Sequence, residues 1–239
     1  MRIDKVLANS GYGTRTQVKE FLRSGRVCVN GNIVRDPGFS VFDNDLENIT
    51  LDGSPIRASS FLYFCLNKPD SCLTAMTDDR LPCVGDLIPP ELQTKKISPV
   101  GRLDYHTTGV LLLTNDGELS HRLTSPKWHK EKIYLVTYEG EELTEEDVLA
   151  FSKGLTLMEP GHAVEKLKPA KLELLHKNQC RLILTEGKTH QVKRMLASRN
   201  RQVVALHREQ MGSLTLHEGQ QPGEMYALSD EDIRKLKED

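Results

Sequence analysis

The chain has 239 residues, 38% hydrophobic and 28% charged, with a formal net charge of -2. That length allows one large core or a small domain beside a medium one, and the composition excludes a disordered or fibrous chain. No apolar run approaches the roughly 18 residues of a membrane helix, and no signal-peptide pattern is present, so the cytoplasm is the expected location.

Five cysteines, Cys28, Cys65, Cys72, Cys83 and Cys180, form no Cys-x-x-Cys pair and suggest neither a zinc site nor a disulfide framework. The near-neutral total hides local imbalance. Residues 1–30 carry six basic residues (Arg2, Lys5, Arg15, Lys19, Arg23, Arg26) against Asp4 and Glu20, and residues 181–209 carry seven basic residues against two acids. A phosphate chain responds to such a face rather than to the net charge.

Ile3, Val6 and Leu7 recur at helical spacing, and Gly11-Tyr12-Gly13 ends that helix. Thr14 or Thr16 can cap the next, whose apolar face is Val18, Phe21 and Leu22 and whose stop is Gly25. Arg26 to Val29 reads as a short strand before the Asn30-Gly31 turn, and Ile49 to Leu51 before Asp52-Gly53 as another. The segment 1–58 resembles the S4 RNA-binding domain, chiefly in Arg2 to Leu7, Thr14-Arg15 and Gly25-Arg26-Val27-x-Val29-Asn30-Gly31. The resemblance implies that Arg15, Lys19, Arg23 and Arg26 face RNA phosphates.

Residues 59–61 complete a short linker from Arg57, and 62–239 form the second expected domain. A strand over Leu62–Leu66 ends in Asn67-Lys68-Pro69, and 70–98 reads as a long loop with a helical turn near Val84–Leu87. Gly101-Arg102-Leu103-Asp104 then leads through Thr107-Thr108-Gly109 into the buried strand Val110–Thr114. Glu118–Leu123 reads as helical, and Lys132–Tyr138 as a strand whose Tyr134 is either core or the lining of a base pocket. A helix capped at Thr144 runs through Phe151, Pro169–Leu175 and Cys180–Leu184 are extended, and Thr189 caps a helix to about Ser198. Gln202–Leu206 is a strand followed by a loop to Gly212, Leu214–Leu216 is a short strand, and Ser229 opens a terminal helix.

The second domain resembles the RsuA/RluB/RluE/RluF family of RNA pseudouridine synthases. The match is Gly101-Arg102-Leu103-Asp104, Thr108 to Gly117, Glu131-Lys132-x-Tyr134, and Glu186-Gly187-Lys188-x-His190-Gln191-Val192-Lys193-Arg194-Met195. The resemblance implies an α+β catalytic domain with a mostly antiparallel central sheet. It makes Asp104 the catalytic carboxylate, either as nucleophile or through a glycal intermediate. Tyr134 would stack on the target base, and Lys193 would pair with Asp104 and aim it. Arg102 supports the loop, receives a phosphate or, as the resemblance implies, occupies the place of the flipped nucleotide, with Thr108 and His190 as further substrate contacts. Lys188, Arg194 and Arg208 would anchor the RNA backbone around the cleft.

The implied reaction needs no metal and no cofactor, and His129, His190 and His207 lack a ligand set. Leu206 to Gly212 and Pro222-Gly223-Glu224 most resemble the RsuA branch, which modifies a uridine in 16S ribosomal RNA. The expected partner is therefore a small-subunit assembly intermediate, met by a monomer. The alternatives are large-subunit RNA as substrate and a non-catalytic, S4-containing ribosome-binding factor.

Overall fold

A computed structural model describes every residue except 11, 57–60, 94, 126–129, 159–163 and 239. Most of the expected linker, Gly11 and His129 therefore lie outside the described residues. Two units are present, one of residues 1–62 with 89–97 and one of 63–88 with 98–239.

In the first unit, α1 (Ile3–Asn9) and α2 (Arg15–Arg23) pack through Ile3, Val6, Leu7, Val18 and Leu22, all buried. Thr14 is the cap of α2. Gln17 N donates to Thr14 Oγ1 at 3.3 Å and Thr14 N donates to Gln17 Oε1 at 2.9 Å, which pairs two amides that a helix start leaves open. Strands β1 (Val27–Val29), β2 (Asn32–Ile33), β3 (Ile49–Leu51) and β4 (Ser54–Pro55) form a sheet in the order β2-β1-β3-β4. The β1–β2 turn uses Asn30 and Gly31 at φ 50 and 77, the left-handed region that this two-residue hairpin requires. The short helix α3 (Pro90–Gln93) belongs to this unit and starts on Pro90, whose missing amide hydrogen costs nothing at a first helical position.

The second unit is built on one mixed sheet. Its members in chain order are β5 (Tyr63–Lys68), β6 (Ser98–Pro99), β7 (Thr107–Thr114), β8 (Lys132–Glu139), β11 (Lys171–Leu174), β12 (Gln179–Leu184), β13 (Gln202–Met211), β14 (Leu214–Thr215) and β15 (Met225–Ala227). The short β9 (Thr156–Leu157) and β10 (Glu165–Lys166) pair separately. The main order is β11-β12-β8-β13-β7-β5-β15, with β14 on β13 and β6 on β7. Every pairing in it is antiparallel except β13 with β7, so the expected mostly antiparallel sheet is present. Helices α4 (Gly117–Thr124), α5 (Glu145–Lys153), α6 (Gln191–Ala197) and α7 (Asp230–Glu238) complete the unit.

Phe151 fills the base of α5 and is fully buried. Asp147, one turn earlier, accepts from Thr144 N at 3.0 Å and Arg199 Nε at 2.6 Å and lies 3.3 Å from Arg201 Nη2. Burial opposes its charge, but these donors outweigh it and hold the carboxyl below its usual pKa. The start of α5 is thereby tied to the chain that leaves α6.

Four local expectations change. The strand read as ending at Leu66 continues to Lys68, because the lysine is drawn inward onto backbone carbonyls rather than released at Pro69. Strand β7 begins at Thr107, three residues before the apolar run, because pairing with β13 carries it there. The polar stretch His207–Gln210 is strand rather than loop, held between β8 and β7 without any apolar alternation of its own. Finally, α6 starts at Gln191 after His190 in the left-handed conformation, φ 50, so Thr189 is not its cap. Gln191 instead folds back: its Oε1 accepts from Lys188 N at 2.8 Å and its Nε2 donates to Glu186 Oε1 at 2.8 Å.

At the parallel pairing, Gly109 has φ 101, and a Cβ there would lie 2.3 Å from the Arg208 carbonyl oxygen. Gly109→Ala is expected to cost about 2–4 kcal/mol from strain and overpacking. Urea unfolding checks this, and an unshifted midpoint would show that the two backbones do not meet at this register.

Candidate active site

The segment Gly101–His106 crosses from β6 to β7, and its backbone is clamped on both sides of Asp104. Thr74 Oγ1 donates to Leu103 O at 2.7 Å and accepts from Leu103 N at 3.1 Å. Lys68 is 0% exposed, and its ammonium donates to the carbonyls of Tyr105 at 3.2 Å, Thr107 at 2.9 Å and Pro69 at 3.1 Å. Burial pushes the Lys68 pKa below the usual lysine value, with the Asp104 charge among the opposing influences. Leu103 is buried and anchors the loop, whereas Asp104 is left partly open.

Two side chains from the α6 region reach that carboxylate. His190 Nε2 lies 3.6 Å from Oδ1, and Lys193 Nζ lies 3.6 Å from Oδ2. The left-handed backbone at His190 turns its ring toward Asp104, and Lys193 follows on the first turn of the helix. Such a conformation in a non-glycine residue marks a place where surrounding contacts override local preference.

Asp104 borders a cavity of about 150 Å³, room for about five waters at ~30 Å³ each and so the scale of one nucleobase. Arg102 is exposed at its edge, and Tyr134 and Lys132 line it from β8. From β13 come Leu206, Arg208 and Met211, although simple alternation would bring 206, 208 and 210 to one face. A bulge between Arg208 and Gln210 shifts the phase and turns Met211 inward as well. Tyr134 is 8% exposed and sits across from Arg208 on one side and Leu182 on the other, so it is both core and pocket wall.

The other sequence candidates divide. Lys188 lines the cavity and pairs with Glu165 at 3.0 Å, while Arg194 Nη2 meets the second oxygen of the same carboxylate at 2.6 Å. Hydrogen bonds from Lys188 and then Arg194 hold Glu165 below the usual carboxylate range. Thr108 is not among the cavity-lining residues: its hydroxyl lies 2.8 Å from His207 Nδ1, and Thr107 takes the pocket position. Arg208 is 2% exposed and so lies in the floor rather than on the surrounding surface. In the first unit, Arg15, Lys19 and Arg23 follow one another at four-residue steps along the exposed side of α2. Arg26 is exposed too, but its fork is taken by Asp52 at 2.8 and 2.6 Å.

Lys68, Thr107 and Lys132 were absent from the sequence candidates. Lys132 was legible, since it stands two residues before Tyr134 and a strand puts both on one face. Lys68 carried no such signal, because a lysine before a proline reads as a turn.

Residues 62–198 match the family model described as RNA pseudouridylate synthase, and residues 1–46 match the S4 domain. With the fold and the pocket described above, these matches define an RNA-modifying enzyme. A Bacillus subtilis (strain 168) protein named as an uncharacterized RNA pseudouridine synthase is 40% identical over 242 residues, covering 100% of this chain and 99% of its own. The ribosomal small subunit pseudouridine synthase A of Escherichia coli (strain K12) is 39% identical over 237 residues, covering 99% of this chain and 100% of its own. A crystal structure of a pseudouridylate synthase superposes with a TM-score of 0.69 at 38% identity, covering 99% of each chain. The chain belongs to the RNA pseudouridylate synthase family: it is an RNA pseudouridine synthase, which moves the glycosidic bond of a uridine from N1 to C5.

Burial, and then the charge of Arg208, lower the Lys132 pKa from 10.5 to about 8. Its charged form therefore opposes folding. That cost is fully present below about pH 8 and is relieved as pH rises toward 10.5. Lys132→Met is expected to be more stable than the parent at pH 7, with the difference shrinking toward pH 10. Urea midpoints at both pH values check this, and a pH-independent difference would mean that Lys132 is as hydrated folded as unfolded.

Proposed function

We propose that this enzyme isomerises one uridine of small-subunit ribosomal RNA, with Asp104 as the catalytic carboxylate. The observation that carries the chemistry is a carboxylate between His190 and Lys193 at the mouth of a base-sized cavity walled by Tyr134. The full-length similarity to enzymes named for the small ribosomal subunit supports the choice of RNA.

The target uridine leaves its stack and enters the cavity. Asp104 then attacks C1′ or removes the C2′ proton, and the C1′–N1 bond breaks with its electron pair staying on the uracil. The freed base turns and its C5 bonds to C1′ as the Asp104–C1′ bond breaks or, on the other route, as C2′ takes its proton back from Asp104. C5 gives up a proton and N1 ends protonated, so the product has the atoms of the substrate. Tyr134 supplies the face against which the base turns, and Lys193 and His190 aim the carboxylate. Arg102, exposed at the rim, fills the gap left in the RNA stack. Lys188 and Arg194, gathered by Glu165, border the entry and meet the flanking backbone.

Residues 1–58 act as the capture module, through Arg15, Lys19 and Arg23 on one side of α2. The substrate is an assembly intermediate in the cytoplasm, met by a monomer.

Incubation with unmodified small- and large-subunit RNA, followed by mapping of pseudouridine at nucleotide resolution, tests the choice of substrate. One new site in the small-subunit RNA is expected; product in large-subunit RNA alone rejects that choice. Asp104→Asn should bind RNA within about threefold of the parent and lose turnover by roughly 10³-fold or more. Near-normal turnover of that variant would remove Asp104 from the chemistry. The double change Lys19→Glu and Arg23→Glu should weaken RNA binding and flatten its salt dependence by about two phosphate contacts. An unchanged salt slope would place capture elsewhere.

A further inference from the structure

The cavity floor holds polar groups that the steps above do not use. Arg208 is 2% exposed; its Nε donates to Val110 O at 2.8 Å, but its Nη2 has no hydrogen-bond partner among the described residues. Thr107 is 1% exposed, and its Oγ1 is likewise without a partner among the described residues. Both residues line the cavity, and both lie on one face of the paired strands β7 and β13. Lys132, across from Met211 on β8, lines it too, and its ammonium donates to Lys130 O at 3.0 Å. Asp104 is the one carboxylate in the lining among the described residues, and it already meets His190 and Lys193.

Buried donors left unpaired are unfavourable, and two like charges beside each other more so. A fold keeps such a set where a ligand completes it. The ligand must offer acceptors, fit a base-sized space and carry negative charge at some stage. Of the groups in this reaction, the uracil meets all three conditions. Its O2 and O4 are acceptors, and the electron pair left by the broken C1′–N1 bond spreads over N1, O2 and O4. A half-turn about the C6–N3 axis exchanges N1 with C5 and O2 with O4. A donor set that treats the two oxygens alike therefore holds the base before and after the turn.

We propose that Arg208 Nη2, Lys132 Nζ and Thr107 Oγ1 form the receptor for the uracil oxygens and stabilise the uracil anion while it turns. This deepens the reading of the pocket at Asp104 and rests on it. The same donors disfavour cytosine, whose exocyclic amine presents hydrogens where uracil presents O4. Arg208 thus acts on the base and not on the RNA backbone.

The test uses the full-length enzyme and 5-nitrouracil, a uracil analogue that ionises more readily, followed by its absorbance. The parent protein should bind the nitrouracil anion about tenfold or more tighter than uracil. Arg208→Met and Lys132→Met should each lose most of that preference. With unmodified ribosomal RNA, Arg208→Met should slow single-turnover product formation by about 10²-fold while RNA affinity stays within about threefold. Equal binding of the two bases by the parent overturns the proposal, as does parent-like turnover in Arg208→Met. A loss of RNA affinity as large as the loss of rate overturns it by making Arg208 a phosphate anchor. Thr107→Val and Lys132→Met carry the same comparison if Arg208→Met does not fold. Asp104→Asn separates the two readings. It should keep the preference for the anion without turnover; if it turns over, the Asp104 assignment fails while the floor is judged by base binding alone.

Discussion

Strand β13 runs parallel to β7 over Leu206–Arg208, and at that crossing Gly109 removes the side chain that would strike the Arg208 carbonyl. This close approach lets β13 join two antiparallel halves, β11-β12-β8 on one side and β7-β5-β15 on the other. It also decides what lies beneath the cavity at Asp104. With no side chain at 109, the guanidinium of Arg208 can turn onto Val110 O, and the following bulge brings Met211 to the same face. The cavity is a consequence of how these two strands meet.

The loop that carries Asp104 is rigid for a different reason. Its backbone carbonyls are bound by a buried ammonium, Lys68, and its amide and carbonyl at Leu103 share one hydroxyl, Thr74. Buried backbone groups need partners, and here side chains from β5 and from the loop after it supply them. The carboxylate thus projects from a fixed frame toward α6, where His190 and Lys193 wait at equal distances. A carboxylate held in this way needs little reorganisation to meet a ligand.

The pocket and the loop beside it are electrostatically expensive to fold. Lys68 and Lys132 both have pKa values pushed down by burial, and Arg208 adds its own charge to the second. Removing the Lys132 charge stabilises the fold near neutral pH, whereas removing Lys68 leaves three backbone carbonyls without their donor. Other charges are balanced in pairs: Glu165 gathers Lys188, at the cavity wall, and Arg194, and Asp147 gathers Arg199 and Arg201.

Much of this protein can be read from local stretches of the chain. The amphipathic face of α2, the Asn30-Gly31 turn, the apolar run of β7 and the motif around Asp104 are local patterns with local causes, and each was legible without a fold. The family resemblance carried by those motifs implied the antiparallel character of the sheet and pointed to Asp104, Tyr134 and Lys193 as candidates. The other features depend on contacts between residues far apart in the chain, which no local stretch encodes. His207–Gln210 has no alternation and becomes strand only because β8 and β7 pair with it. Lys68 reads as a turn residue and is fully buried because distant carbonyls receive it. Arg208 reads as a surface cation and lies in the floor, since only the meeting of β7 with β13 fixes which way that side chain turns.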